Sequence, residues 1–311
     1  MKQFKEGVIV LFLAICCNIS CAKPTVQKNI DSTQKSFELP KIPVAINTDK
    51  DRLEYLLVHY WDGLDAQDSL SEKSQEIEQA FSNYIDLFNR AESQIIDKSL
   101  QMLFNKVAPQ SNQFNWFTDK FEHYLYETES PLRNDAQYIQ VLENLLANAH
   151  VDPIYKSRYD YQFQEVNKNK VGDIAANFTY QKVDAKEEDL HDIKAKYTLI
   201  FFYDPDCHNC KEAKETLMSS SLINELQGNH DLAILAFYPY DDVDFWKQNA
   251  DKIPSTWINS HDASEELLVD NQLYAIRSIP SLYLLDRDKR VILRDVFVED
   301  IFQFFSAKVM K

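Results

Sequence analysis

Two cysteines separated by two residues, Cys207 and Cys210, place the tightest constraint on how this chain can fold. They follow the run YTLIFFY at residues 197–203, whose continuous apolar and β-rich composition is typical of a central strand covered on both faces. A helical stretch from Lys211 to about Ser219 comes next. A Cys-x-x-Cys pair between a buried strand and the start of a helix indicates a redox motif in an α/β fold.

The position of the pair also indicates its chemistry. The sulfur of Cys207 is predicted to lie at the N-terminus of the helix, where free backbone N–H groups and the helix dipole stabilise a thiolate. A zinc site is one alternative, but it needs four ligands and the sequence offers no second pair. A purely structural disulfide is another, although it closes almost no loop and so stabilises little. We therefore expect no metal, and no cofactor beyond a redox-active Cys207–Cys210 disulfide.

The elements around the pair alternate as strand, helix, strand, helix, hairpin and helix, which predicts a mixed central sheet flanked by helices over residues 171–311. The predicted elements are an edge strand at 178–183, buried strands at 197–203 and 231–238, helices at 211–219, 241–250 and 264–274, hairpin strands at 281–285 and 291–296, and a terminal helix at 300–308.

Residues 45–170 show helical periodicity almost throughout and predict an all-α domain of five or six helices ahead of the α/β domain. One apolar face is formed by Ile77, Phe81, Tyr84, Ile85 and Phe88. The high aromatic content favours either a groove for a partner or a core of large side chains. Because periodic aromatic residues usually face inward, the core is the preferred interpretation.

The N-terminus is typical of an export signal rather than of a folded domain. Lys2 and Lys5 precede the apolar run VIVLFLAICC at 8–17, which is too short to span a bilayer. Ser20 and Cys21 resemble a bacterial lipoprotein processing site, which implies a signal peptide at 1–20 and a lipid on Cys21. Ordinary cleavage with Cys21 incidental is the alternative. The polar, proline-containing residues 21–44 are predicted to be a tether.

A formal net charge of −16 disfavours nucleic acid as a partner, because phosphate binding depends on Lys and Arg. Nothing in the charge pattern indicates another ligand.

Three segments of the α/β domain resemble the thioredoxin superfamily, and within it the TlpA-like thiol:disulfide oxidoreductases. They are VGDIAANF (171–178), LIFFYDPDCHNCKEA (199–213) and YAIRSIPSLYLLD (274–286). The resemblance implies a cis peptide bond before Pro280, opposite the cysteines, with the Ile279 backbone available to pair with an extended substrate. The helical domain resembles an uncharacterised domain found ahead of thioredoxin-like domains in bacterial lipoproteins.

The sequence departs from this family beside the cysteines. Phe201 and Ala213 stand where relatives carry a carboxylate, which leaves the proton acceptor for Cys210 unidentified. Asp206 replaces the usual Trp and opposes a thiolate at the first cysteine, whereas a protonated His208 would favour it. Asn209 completes the motif between the cysteines.

Together these features predict a thiol:disulfide oxidoreductase that acts on protein thiols and disulfides, as a reductase or an isomerase. The resemblance implies a periplasm-facing lipoprotein of a Gram-negative bacterium, anchored through Cys21 and supplied by a membrane-embedded electron donor. Ala22, after the lipidated position, favours the outer membrane by the same resemblance. The alternative is a non-enzymatic, partner-binding lipoprotein that uses the thioredoxin fold as a scaffold.

Overall fold

Six helices form the first half of the structure, a computed structural model that describes residues 37–65, 70, 74–263 and 273–309. Local capping explains where several of these helices begin. The Thr48 and Asn134 side chains accept hydrogen bonds from backbone N–H groups in the first turns of their helices, and Pro153 opens the sixth helix. The helices are α1 (Asp49–His59), α2 (Ser74–Phe88), α3 (Ser93–Val107), α4 (Ser111–Leu125), α5 (Asp135–Ala147) and α6 (Pro153–Asn167).

The helical domain is held together by a core of large aromatic side chains. Tyr60, Phe81, Tyr84, Phe117 and Phe121 are all almost fully buried. Some neighbouring rings meet edge to face, as Phe81 and Phe121 do at 4.9 Å between centroids, and others are tilted, as Tyr60 and Tyr84 are. The prediction that the periodic aromatic residues face a core is confirmed for these side chains.

A seven-stranded mixed sheet forms the second half, with strand order β2-β1-β5-β4-β3-β6-β7. The predicted fold class, an all-α domain followed by an α/β domain with a mixed sheet, is confirmed. The strands are β1 (Thr179–Lys182), β2 (Glu187–Asp189), β3 (Tyr197–Phe202), β4 (Leu232–Tyr238), β5 (Ile258–Asp262), β6 (Ser281–Asp286) and β7 (Val291–Val296).

Strand β3 lies in the middle of this sheet, parallel to β4 and antiparallel to β6. Its residues are buried from Thr198 onward, as the apolar run predicts. The flanking helices are α7 (His208–Ser219), α8 (Ser221–Gly228), α9 (Val243–Gln248) and α10 (Val298–Val309). The chain leaves the end of β3 and enters α7 within six residues, so the cysteines lie at one end of the central strand.

One prediction about the sheet was wrong, and not every strand was predicted. Strand β1 is not an edge strand, because it pairs with β2 on one side and β5 on the other. Strand β5, which the sequence pattern did not predict, has the polar sequence INSHD and is accepted into the sheet through pairing with β1 and β4.

Some predicted features lie outside the described residues. The signal peptide at 1–20, Cys21 and most of the tether are among them, as are residues 264–272 of the helix predicted at 264–274. Within the described part of the chain, none of the helices is long and apolar enough to cross a membrane. Residues 37–311 form one compact unit, and the boundary between residues 170 and 171 stays a prediction.

Candidate active site

Cys207 stands at the N-terminal end of α7, as its spacing from β3 predicts. Its Sγ accepts a hydrogen bond from the backbone N–H of Cys210 at 3.1 Å, so the sulfur itself caps the helix. Its own backbone N–H donates to the Asp204 carbonyl at 3.1 Å, which closes the loop that joins strand to helix. The thiol is half-buried, and its sulfur lies at the positive end of the helix dipole.

Cys210 lies one turn further along α7 and is buried, with 3 % of its surface exposed. Burial raises the pKa of the Cys210 thiol well above its ordinary value, and its contact with Cys207 raises the pKa further. The two thiols therefore occupy different environments on one helix. A partly accessible sulfur at the helix end and a protonated, buried sulfur behind it are suited to an attacking and a resolving role respectively.

The turn before β6 faces the cysteines from the other side. The Ile279–Pro280 peptide bond is cis, as the resemblance implies. The Ile279 carbonyl oxygen lies 3.5 Å from the Cys207 Sγ. Because β6 pairs with β3 along its whole length, the sheet fixes this turn beside the cysteine loop. The structure thus brings Cys207, Cys210, Ile279 and Pro280 together in one place.

The three remaining predicted neighbours lie on the solvent side of the pair. Asp206, His208 and Asn209 are all exposed. The His208 Nε2 lies 3.2 Å from the Glu212 Oε1, one turn along α7, with 80 % of its side chain exposed. The imidazole is thus paired along the helix rather than with a cysteine sulfur.

Asp204 is a site residue that the sequence did not mark. Its Oδ1 accepts the backbone N–H of Asp206 at 2.8 Å, which fixes the carboxylate in the loop before the first cysteine. Burial is the main cause that raises the pKa of Tyr240, and the negative charge of Asp204 adds to it. At Cys210, whose pKa is raised mainly by burial, a backbone hydrogen bond with Asp204 lowers the pKa while the Asp204 charge raises it. The family positions occupied by Phe201 and Ala213 are apolar and buried, whereas Asp204 belongs to the loop between β3 and Cys207.

A groove of about 410 Å³ runs beside the cysteine pair. It is lined by residues of α7, of the turn before β6 and of the start of α10. Glu129, from the segment between α4 and α5, brings the helical domain to its rim. The residues that line it are Glu129, Asn209, Glu212, Ala213, Thr216, Ser278, Ile279, Pro280, Leu282, Phe297, Val298 and Glu299. Asn209, from between the cysteines, and the Ile279–Pro280 turn bring the groove next to the pair.

The described residues hold no group of three or more His, Cys, Asp or Glu side chains arranged to bind a metal ion.

A mixed sheet whose central strand leads into a Cys-x-x-Cys helix, opposite a cis-proline turn, defines the thioredoxin class of fold. The structure is similar to that of a thioredoxin-like protein from Bacteroides caccae, with 32 % sequence identity, a TM-score of 0.77, and coverage of 88 % of this chain and 99 % of that one. The chain therefore belongs to the thioredoxin superfamily, as a thioredoxin-like protein with an additional helical domain.

Other comparisons concern parts of the chain. Residues 17–169 match a family described as a domain of unknown function, DUF5106. The C-terminal domain of an uncharacterised protein from Bacteroides fragilis is 37 % identical over 44 % of this chain and 98 % of its own, with a TM-score of 0.42. A thiol:disulfide interchange protein from a Bacteroides species is 18 % identical over 46 % of this chain and 91 % of its own, with a TM-score of 0.40. The comparison with curated proteins gave no significant match.

Proposed function

We propose that this protein is a thiol:disulfide oxidoreductase that works through Cys207 and Cys210. One observation carries the proposal. The half-buried Cys207 sulfur lies at a helix N-terminus and faces the Ile279 carbonyl, and the buried Cys210 sulfur lies behind it. A scaffold protein would need neither the helix-capping sulfur nor a groove that opens beside it.

The reaction has two steps with balanced electrons. The Cys207 thiolate attacks one sulfur of a substrate disulfide, forms a mixed disulfide and releases the other substrate sulfur as a thiolate. Cys210 then loses its proton and attacks the Cys207 sulfur. This step releases the second substrate thiol and leaves the Cys207–Cys210 disulfide. Two electrons pass from the dithiol to the substrate, and the released thiolates take up protons from solvent.

We further propose that the protein works as a reductase or isomerase rather than as a primary oxidant. Strong oxidants owe their potential to an unusually stabilised thiolate. Here the Cys207 sulfur lies at the positive end of the α7 dipole, but the negative carboxylates of Asp204 and Asp206 belong to the loop directly before it. A membrane-embedded electron donor would have to return the dithiol to its reduced form, because the compartment outside the cytosol is kept oxidising.

An insulin reduction assay with dithiothreitol, followed by redox equilibration against glutathione, tests this function. We expect turnover of insulin disulfides and a potential nearer the ~−270 mV of thioredoxin than the ~−120 mV of a strong oxidase. No exchange with any disulfide would favour the scaffold alternative. A potential above about −150 mV would overturn the direction and leave the oxidoreductase assignment in place.

The resolving step is expected to accelerate as the pH rises. Burial holds the pKa of Cys210 above its ordinary value, so its thiol is protonated near neutral pH and only the thiolate attacks. Below that pKa the thiolate fraction grows about 10-fold per pH unit. Stopped-flow release of thionitrobenzoate from a preformed mixed disulfide on Cys207 measures the rate. A rate that stays constant from about pH 7 to about pH 9 would contradict the protonated state assigned to Cys210.

We also propose that Cys21 carries a lipid and that the protein faces the periplasm, with the outer membrane as the favoured anchor. The signal-like residues 1–20 and the small residue before Cys21 support this. Intact-mass spectrometry of the mature protein tests it, because an unmodified N-terminus at another residue rules out this lipid anchor.

A further inference from the structure

The segment of residues 277–281, which we call the substrate-pairing segment, is attached to the helical domain through the guanidinium of Arg277. This side chain is only 8 % exposed. Its Nη1 and Nη2 donate to the two carboxylate oxygens of Asp135 at 2.9 and 3.1 Å, and Nη1 also donates to the Tyr126 carbonyl at 3.0 Å. The guanidinium carbon lies 4.9 Å from the centre of the Tyr126 ring. Bidentate pairing combined with stacking fixes both the position and the plane of an arginine.

Asp295, on β7, binds both ends of the same segment. Its Oδ2 accepts from the Arg277 Nε at 2.7 Å, and its Oδ1 accepts from the Ser281 Oγ at 2.8 Å. Its backbone has φ 48°, and the register between β6 and β7 shifts beside it, between Leu282 and Leu284. A bulge in an antiparallel pair redirects side chains, and Asp tolerates the left-handed region better than most residues. The irregular strand thus aims a buried carboxylate at both ends of the segment.

We propose that the helical domain is part of the active site, because Asp135 and Tyr126 position the substrate-pairing segment through Arg277. Ile279 follows Arg277 by two residues in the chain, and its carbonyl lies 3.5 Å from the Cys207 sulfur. Arg277 is then a positioning residue, which determines how an extended substrate backbone is presented to Cys207. This inference rests on the proposed function, because it presupposes that the segment pairs with a disulfide substrate.

Arg294 shows what a purely structural contact between the same two domains looks like. It is also buried, with 5 % of its side chain exposed, and its Nη1 donates to the same Asp135 at 3.0 Å. Its other bonds go to the carbonyls of Val166 and Glu165 at 2.7 and 2.8 Å. Among the described residues, no hydrogen bond or ion pair joins Arg294 to residues 277–281, so it joins the domains without reaching the cysteine site. Arg294 therefore provides a matched control for Arg277.

The experiment compares Arg277→Gln with Arg294→Gln in the full chain, using two substrates. Insulin presents its disulfide within a polypeptide that must lie along the substrate-pairing segment. Dithiobisnitrobenzoate is a small disulfide that needs only access to the Cys207 sulfur. We expect Arg277→Gln to raise the KM for insulin on the order of 10-fold, with a much smaller change in kcat, because displaced binding groups weaken substrate pairing. The rate with the small disulfide should change by less than about 2-fold in the same variant.

The Arg294 variant decides between positioning and domain docking. If Arg277 positions the substrate-pairing segment, Arg294→Gln should keep the insulin KM within about 2-fold of wild type. This holds even if its melting temperature falls as far as that of Arg277→Gln. Equal rises in KM for the two variants would overturn the proposal in favour of simple docking. An unchanged KM in a folded Arg277→Gln protein would also overturn it.

A second variant covers the case in which Arg277→Gln fails to fold. Arg277→Lys keeps a positive charge between the two carboxylates but loses the planar fork, so it should fold and still raise the insulin KM. An insulin KM equal to wild type in this variant would overturn the proposal. Wild-type turnover is measured in parallel. If the wild type exchanges neither substrate, the proposed function fails together with this inference, whereas active wild type with indifferent variants refutes the inference alone.

Discussion

Replacing Cys207 with serine is expected to abolish disulfide exchange, with a loss of about 1,000-fold or more in turnover. Replacing Cys210 with serine is expected instead to leave a protein that forms mixed disulfides and does not release them. The reason is the difference between the two positions. The Cys207 sulfur caps α7 and is partly exposed, whereas Cys210 is 3 % exposed and must lose a proton from a thiol whose pKa is raised by burial.

Trapping measures this difference directly. Each single variant is incubated with a disulfide-bonded protein, and the covalent adducts are separated without reductant and identified by mass spectrometry. Cys210→Ser should accumulate adducts that dithiothreitol releases, and Cys207→Ser should accumulate none. The double serine variant is the control for adducts through other thiols. Equal trapping by the two single variants would refute the assigned roles.

The part of the site that the sequence predicts is the part formed by neighbours along the chain. The apolar run before Cys207 predicts a buried strand, and the polar loop with the helix after it predicts where the sulfur lies. Residues within one strand–loop–helix unit keep their spacing in any fold that forms the unit. The Ile279–Pro280 turn required the resemblance as well, because a proline that opens a strand is unremarkable by itself.

The parts that could not be predicted depend on partners distant in the chain. Strand β5 lacks an apolar pattern, since Ser260, His261 and Asp262 are buried by pairing with strands on both sides rather than by their own hydrophobicity. Strand β2 has only three residues, with the charged sequence EED, and so lacks the length and the apolar pattern that predict a strand. Such charges are common on edge strands. Asp135 and Arg277 are 142 residues apart, and hydrophobic periodicity carries no information about which charges meet.

Asp135→Ala is expected to cause the largest loss of stability among single substitutions at the domain contact, about 3–5 kcal/mol in the free energy of unfolding. Its carboxylate accepts from Arg277 and Arg294, whose side chains are 8 % and 5 % exposed. Removing it leaves the buried Arg294 with backbone carbonyls alone as partners, while Arg277 keeps Asp295. An uncompensated buried charge is more costly than the missing bond itself. Urea unfolding followed by circular dichroism measures the change.

An ion pair at the surface serves as a control that separates the effect of burial from the effect of ion pairing itself. Glu54 accepts from Lys98 at 2.7 Å between α1 and α3, with 36 % and 57 % of the two side chains exposed. Glu54→Ala should therefore cost less than about 1 kcal/mol. If Glu54→Ala and Asp135→Ala lower the free energy of unfolding by similar amounts, burial of the ion pairs of Asp135 contributes no more stability than a surface ion pair does.

Replacing Asp135, Arg277 and Arg294 together tests more sharply what these buried charges contribute. A triple variant with Asp135→Leu, Arg277→Met and Arg294→Met has no orphaned charge on these three side chains, and buried ion networks replaced by apolar residues often recover or exceed the original stability. We expect this variant to regain only part of the stability that Asp135→Ala loses, because the buried Asp295 carboxylate loses Arg277 and keeps Arg133 at 3.6 Å and the Ser281 hydroxyl. If insulin turnover does not return with the stability, the charges around Arg277 serve to position the substrate-pairing segment rather than to hold the domains together. Recovery of both would mean that any well-packed contact between the domains suffices.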